Sequence, residues 1–129
     1  MQSRKKIDVA CQIITCVSED SDVAIERAKK TVAFYVSVGK VYREFLAKNG
    51  FGSETRDIFD EFKKSGFKTN HTLVTDSMLK SLSICGTPEE CKKHVNDFAT
   101  AGITQSIFQF NPVGDVLESF KLFKKTFLD

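Results

Sequence analysis

Four cysteines, two histidines and a handful of serines, aspartates and glycines are the residues whose types could do chemistry. Cys11, Cys16, Cys85 and Cys91 form no CxxC pair, and His71 and His94 stand apart from them. A zinc site needs several such ligands at close, regular spacing, so no metal is expected. Neither Cys16 nor Cys85 has a flanking His to lower its pKa, which favours core packing over a nucleophilic role. All four are read as reduced, mostly buried thiols, with Cys91 on the inner face of a helix, and this points to a cytoplasmic protein. His94, beside Lys92 and Lys93, reads as a surface residue, and His71 falls in a polar loop. Asp20 and Asp22 have the spacing of paired carboxylates, but beside Ser18 and Ser21 they read better as helix-start residues.

The strongest local signal is Gly86-Thr87-Pro88-Glu89-Glu90. Thr87 has the place of an N-cap, Pro88 of the first helical residue, and Glu90 of the third position of a capping box. The free N–H groups of such a helix start attract anions. Here Glu89 and Glu90 already supply negative charge and repel a phosphate, so an ordinary cap is the favoured reading.

The elements that position these residues follow from periodicity. Ile7–Val17 is rich in β-branched residues and apolar on both faces, as a buried parallel strand is. A long helical stretch follows, with Ala24, Ala28, Val32 and Tyr35 on one face. Beyond Gly39, which marks a kink or a close backbone approach, the pattern resumes through Val38, Val41, Tyr42, Phe45 and Leu46 and stops at Gly50. Ser53 is expected to cap a helix to about Ser65 that buries Ile58, Phe59 and Phe62. After a polar loop at 67–72, Val74, Met78, Leu79 and Leu82 suggest about three more helical turns. Leu82–Cys85 is a short strand candidate, and the helix after Thr87 is expected to bury Cys91, Val95, Phe98 and Ala99 and to end at Gly102. Ile103–Phe110 reads as a strand ended by Asn111-Pro112. Asp115 and Glu118 form a capping pair for a last helix carrying Val116, Phe120, Phe123 and Phe127.

Strand, helices, strand, helix, strand, helix is an α/β alternation that argues for parallel strands joined by right-handed crossovers. The 129 residues suit one domain at 7–129, preceded by a disordered lead-in at 1–6. A (β/α)8 barrel needs about 250 residues, so periodicity alone yields an incomplete α/β sheet. A net charge of +2 with no Trp gives no argument for nucleic acid, and no signal peptide or membrane-length apolar run is read.

Several segments resemble the luciferase-like superfamily, above all its methylenetetrahydromethanopterin reductase branch. They are residues 16–22 with Ala24, Ala28 and residues 31–35, then residues 76–79 and 84–91, and then residues 101–104. The resemblance spans about Ile7 to Phe127. It implies a partial (β/α)8 TIM barrel, α/β, with about three parallel strands and a helix-rich excursion between the first and second. It also implies hydride transfer between a reduced deazaflavin (coenzyme F-420) or a flavin (FMN) and a pterin-like substrate. The family's early-strand residues have no counterpart here, so no catalytic residue is carried over, and this chain alone is expected to be incomplete and to bind either cofactor only with help. Barrel ligands sit at the carboxyl ends of strands, which makes Ser18, Gly86, Thr87 and Asn111 the candidate cofactor-binding residues. Nine of the twelve phenylalanines strain a three-strand core, so a homo-oligomer or a complementing barrel chain is expected, with no nucleic-acid, membrane or metal partner. The alternative is a non-catalytic oligomeric assembly module derived from the barrel.

Overall fold

A computed structural model describes residues 7–129; the expected lead-in at 1–6 lies outside the described residues. Three strands form one sheet: β1 (Ala10–Val17), β2 (Ser83–Gly86) and β3 (Gln105–Phe110). All pairings are parallel, as the α/β alternation requires. Between β1 and β2 run α1 (Ser21–Val38), α2 (Lys40–Leu46), α3 (Gly52–Ser65), a 3-10 turn at Asn70–Leu73, and α4 (Asp76–Leu82). This is the expected helix-rich excursion. Then α5 (Pro88–Thr100) joins β2 to β3, and α6 (Val116–Phe127) closes the chain.

The strand order is β2-β1-β3. In a (β/α)8 barrel consecutive strands are neighbours and all helices lie outside. Here β1 is central and β3 pairs along its other edge, from Ala10 opposite Gln105 to Thr15 opposite Phe110. The two crossovers therefore run in opposite directions across the sheet, and right-handed connections place their helices on opposite faces. The two cores show this arrangement. Ile14, Cys16 and Cys85 pack with α1, α2, α3 and α4, through Val32, Leu46, Ile58 and Met78. Ile13, Val17 and Ile84 pack with α5 and α6 through Cys91, Val95, Phe98 and Phe123. The strand alternation at 13–17 thus feeds two separate cores.

Local signals decide most boundaries. Asp20 caps α1, its carboxylate accepting the Asp22 N–H at 3.1 Å. Gly39 separates α1 from α2, and a Cβ there would fall 2.9 Å from the Tyr35 carbonyl oxygen, so only glycine allows this close turn. Thr87 and Glu90 complete the capping box of α5, and the Asp115 carboxylate accepts the Glu118 N–H at 3.0 Å.

Other expectations shift. The helix at 52–65 starts at Gly52, after a kink where Asn49 and Gly50 (φ +100°) leave helical geometry as the stop at Gly50 anticipates, so Ser53 is not its cap; its hydroxyl points to Glu54 instead. Phe59 and Phe62 are only half-buried. Strand pairing begins at Ala10 and Gln105: Ile7 and Val9 are exposed, the turn lies at Ala101 and Gly102, and the Thr104 and Gln105 N–H groups both donate to the one Val9 carbonyl. Leu82 ends α4 and does not open β2, and α4 is only seven residues long because the 3-10 turn takes up the preceding segment. Val38, Val41 and Phe45 are exposed, as are Ala99, Val116 and Phe120, since no described element covers those faces.

Candidate functional site

The carboxyl ends of the three strands carry the sequence-derived candidates. The β1 and β2 ends are stitched together: the Ser18 N–H donates to the Gly86 carbonyl at 3.0 Å. Beyond that bond the side chains serve the helix starts. The Ser18 hydroxyl accepts the Asp20 N–H at 3.1 Å. The Glu90 carboxylate accepts the Thr87 N–H at 3.1 Å, and the Thr87 hydroxyl accepts the Glu90 N–H at 3.3 Å. Hydrogen bonding from the Thr87 backbone, then from the Ser21 and Thr87 hydroxyls, holds the Glu90 carboxyl below its usual pKa. Gly86 has φ +129°, and a Cβ on it would lie 3.0 Å from the Glu90 Cβ. Glycine is required twice here, by backbone conformation and by the carboxylate folded over it.

Asn111 lies elsewhere. It is buried, its N–H donates to the Thr15 carbonyl at 3.0 Å, and its side-chain oxygen accepts the Thr31 hydroxyl at 2.9 Å. It lines a cavity of about 400 Å³ against α1. Ser18 lines a different one, of about 430 Å³, with Glu19, Glu118 and Lys121, and Gly86 and Thr87 line neither. The four candidates do not converge on one site within this chain. Nor do they make a cradle for a phosphate-bearing cofactor: at the α5 start the Thr87 and Glu90 N–H groups are taken by the capping box, Pro88 has none, and Glu89 and Glu90 put negative charge in the first turn.

The thiols are where packing was expected to put them. Cys16, Cys85 and Cys91 are buried and Cys11 is half-exposed. Burial pushes the Cys16 and Cys91 thiols up to about 12, and raises Cys85, so all three are neutral at physiological pH. The buried Cys91 Sγ approaches the Cys16 and Gly86 carbonyls at 3.8 and 3.7 Å, a weak donor between two strand ends. Among the described residues no three His, Cys, Asp or Glu side chains converge as metal ligands. No helix among them is long and apolar enough to cross a membrane.

The histidines correct the sequence reading. His94 is half-buried with its Nδ1 unpartnered, because α5 turns that face toward α4. His71, expected to be an anonymous loop residue, pairs through Nε2 with Glu26 of α1 at 2.8 Å and lines the same cavity as Asn111. Beside it Asn70 is 1% exposed and donates to the Ser37 hydroxyl at 2.9 Å. Sequence reasoning missed both, since their partners lie far upstream on α1.

The luciferase-like monooxygenase model matches residues 1–105. The chain belongs to that family. It is 33% identical over 112 residues to the 5,10-methylenetetrahydromethanopterin reductase of Methanolobus tindarius, covering 85% of this chain and 33% of that protein. Against the enzyme of the same name from Methanopyrus kandleri it is 31% identical over 114 residues, covering 88% of this chain and 32% of the relative. The Archaeoglobus fulgidus enzyme is 28% identical over 128 residues, covering 96% and 38%. The chain thus spans about a third of the length of these curated relatives. The solved coenzyme F-420-dependent tetrahydromethanopterin reductase of Methanopyrus kandleri superposes with a TM-score of 0.73 at 25% identity, over 92% of this chain and 34% of that one. The fold is therefore a partial TIM barrel by kinship, carrying its three strands in the order 2-1-3.

Proposed function

We propose that this chain is the carboxyl-terminal part of a coenzyme F-420-dependent oxidoreductase of the methylenetetrahydromethanopterin reductase type, contributing to hydride transfer only when further barrel strands complete the site. The observation that carries this is the coverage: the match runs through 85–96% of this chain yet only about a third of each relative. The strand ends agree with it, because Ser18, Thr87 and Asn111 are held by caps and buried bonds and offer no convergent cofactor site. The supporting strands come from residues outside this chain, in the same polypeptide or another. FMN replaces the deazaflavin in the variant form of this reading, and the buried thiols suit a cytoplasmic setting.

A second reading is favoured by the outer edge of β3 and by α6. Ile107, Val116, Leu117 and Phe120 are 45–60% exposed there. An open parallel edge beside such a surface favours self-association, and the chain then works as a homo-oligomeric assembly module without chemistry.

Calorimetric titration with coenzyme F-420 and with FMN, with light scattering on the same sample, separates the two. Micromolar saturable binding supports a rebuilt cofactor pocket. A stable oligomer that binds neither favours the assembly reading, and absence of binding that persists when the missing barrel strands are supplied as a co-expressed fragment sinks the catalytic one. A concentration-independent monomer sinks the assembly reading.

A further inference from the structure

The cavity between α1 and the 3-10 turn has features that no barrel-end site explains. Arg27 and Lys30 stand along one wall, His71 and Asn70 close the floor, and Phe34 and Phe67 flank the mouth. No carboxylate lines it, and Glu26 reaches only the far nitrogen of His71. Arg27 is held in place, its Nε donating to the Pro112 carbonyl at 3.1 Å and its Nη1 to the Thr31 hydroxyl. Among the described residues Lys30 makes no ion pair and is exposed. The wall is therefore electropositive without an internal counter-charge.

Two side-chain atoms beneath the lining have no hydrogen-bond partner and are closed to solvent. The Asn70 side-chain nitrogen is used on Ser37, whose hydroxyl in turn donates to the Ala33 carbonyl at 2.7 Å, so the amide orientation is fixed and its Oδ1 is left over. The His71 Nε2 faces Glu26, and its Nδ1 has no hydrogen-bond partner. Buried acceptors without donors are uncommon and costly. At the mouth, Phe34 and Phe67 are 46% and 47% exposed with ring centroids 5.6 Å apart. Exposed aromatic faces beside cations are the lining of a small-molecule site.

We infer that this cavity binds a small planar aromatic anion, one ring or two. The anion faces Lys30 and Arg27, and the ring packs on Phe34 and Phe67. The site depends on β3 lying beside β1, because the turn after β3 supplies Asn111 and the carbonyl of Pro112 that anchors Arg27. It stands whether or not the chain takes part in hydride transfer.

The test uses 4-hydroxybenzoate as probe, followed by amide NMR of the whole chain, with 4-hydroxybenzyl alcohol as the uncharged control and acetate as the ringless one. The expected result is saturable shifts at about millimolar concentration or below, centred on Thr31, Phe34 and residues 67–71. Lys30→Gln and Phe67→Ala, each with an otherwise unchanged amide spectrum, weaken binding roughly fivefold. Absence of saturable shifts at those amides overturns the inference. So does equal affinity for the alcohol or the acetate, or unchanged affinity in Lys30→Gln.

Discussion

The two faces of the sheet are built from different materials. Under α1, α3 and α4 the contacts are small or aliphatic, with one thioether: Ala24, Ala28, Val32, Val36, Ile58 and Met78 are all fully buried. Under α5 and α6 they are aromatic: Phe108, Phe110, Phe123 and Phe127 meet edge-on or tilted with centroids 4.4–6.1 Å apart, yet only Phe123 of the four is buried. Alanines on α1 let that helix sit close to the sheet, and close packing leaves little for another element to add. Large rings on a three-stranded sheet leave part of each ring in water. Against the sheet one half is closed by this chain, although Val41 and Phe45 of α2 stay exposed on its outer side, and the other keeps apolar surface on β3 and α6 that a further element or a second copy would cover.

The largest test of that difference is truncation on each face. Ile58→Ala removes a fully buried side chain from α3 and is expected to cost about 2–5 kcal/mol in urea unfolding. Phe120→Ala on α6, 45% exposed and stacked on Phe110 and Phe123, is expected to cost less than about 1 kcal/mol of monomer stability while lowering the light-scattering mass at high concentration. If Phe120→Ala unfolds the chain as Ile58→Ala does, the second face is as closed as the first and the contrast fails.

Gly86 lies where the two faces meet at the strand ends, and its replacement ranks next. Gly86→Ala forces φ +129° on a side chain and pushes against Glu90, at an expected cost of about 1–3 kcal/mol. Glu90 adds a pH signature. Its carboxyl is held below the ordinary range in the folded chain, so its contribution is present above that range and is lost as pH falls through the depressed value. Glu90→Gln is expected to flatten the acid limb of a stability–pH curve measured by urea midpoints. An acid limb identical to that of the unmodified chain would show that the capping box is not where α5 gains its start.

Much of this was legible beforehand because it is local. Thr87 with Glu90, Asp20 and Asp115 act within one helical turn, Gly102 follows α5 with a positive φ, and Gly39 ends α1 by leaving room beside the Tyr35 carbonyl. Strand order was not legible: whether β3 joins β2 or β1 is decided by which apolar face α5 and α6 cover, a choice made across the whole chain. The same reason explains Val41, Phe45 and Val116, whose helical spacing signals apolarity but not what lies opposite. The candidate set at the strand ends failed to converge because Asn111 followed β3 to the far edge, next to Thr31. The Asn70 and His71 cavity was invisible because its meaning comes from Glu26 and Ser37 on another element.

The thiols give the smallest effect and the finest comparison. Cys16 belongs to the core under α1, Cys91 to the core under α5, and burial holds both near 12 against an ordinary 9.0. Their folded values are raised, so the neutral-thiol stabilisation is complete below the unfolded value and is lost as pH climbs from about 9 toward about 12. Urea midpoints should therefore fall on that alkaline limb, less so in Cys16→Ala or Cys91→Ala, each compared with its own neutral-pH midpoint. Equilibrium alone does not tell the faces apart, but alkylation kinetics does. With iodoacetamide under native conditions, half-exposed Cys11 should react first. A buried thiol reacts only when its surroundings open. The aromatic face, with α6 held on one side only, opens at lower cost, so Cys91 should follow and Cys16 should come last. Equal rates for Cys16 and Cys91, followed by peptide mass spectrometry, would mean that both cores open together and that the apolar surface of α6 does not mark a weaker half.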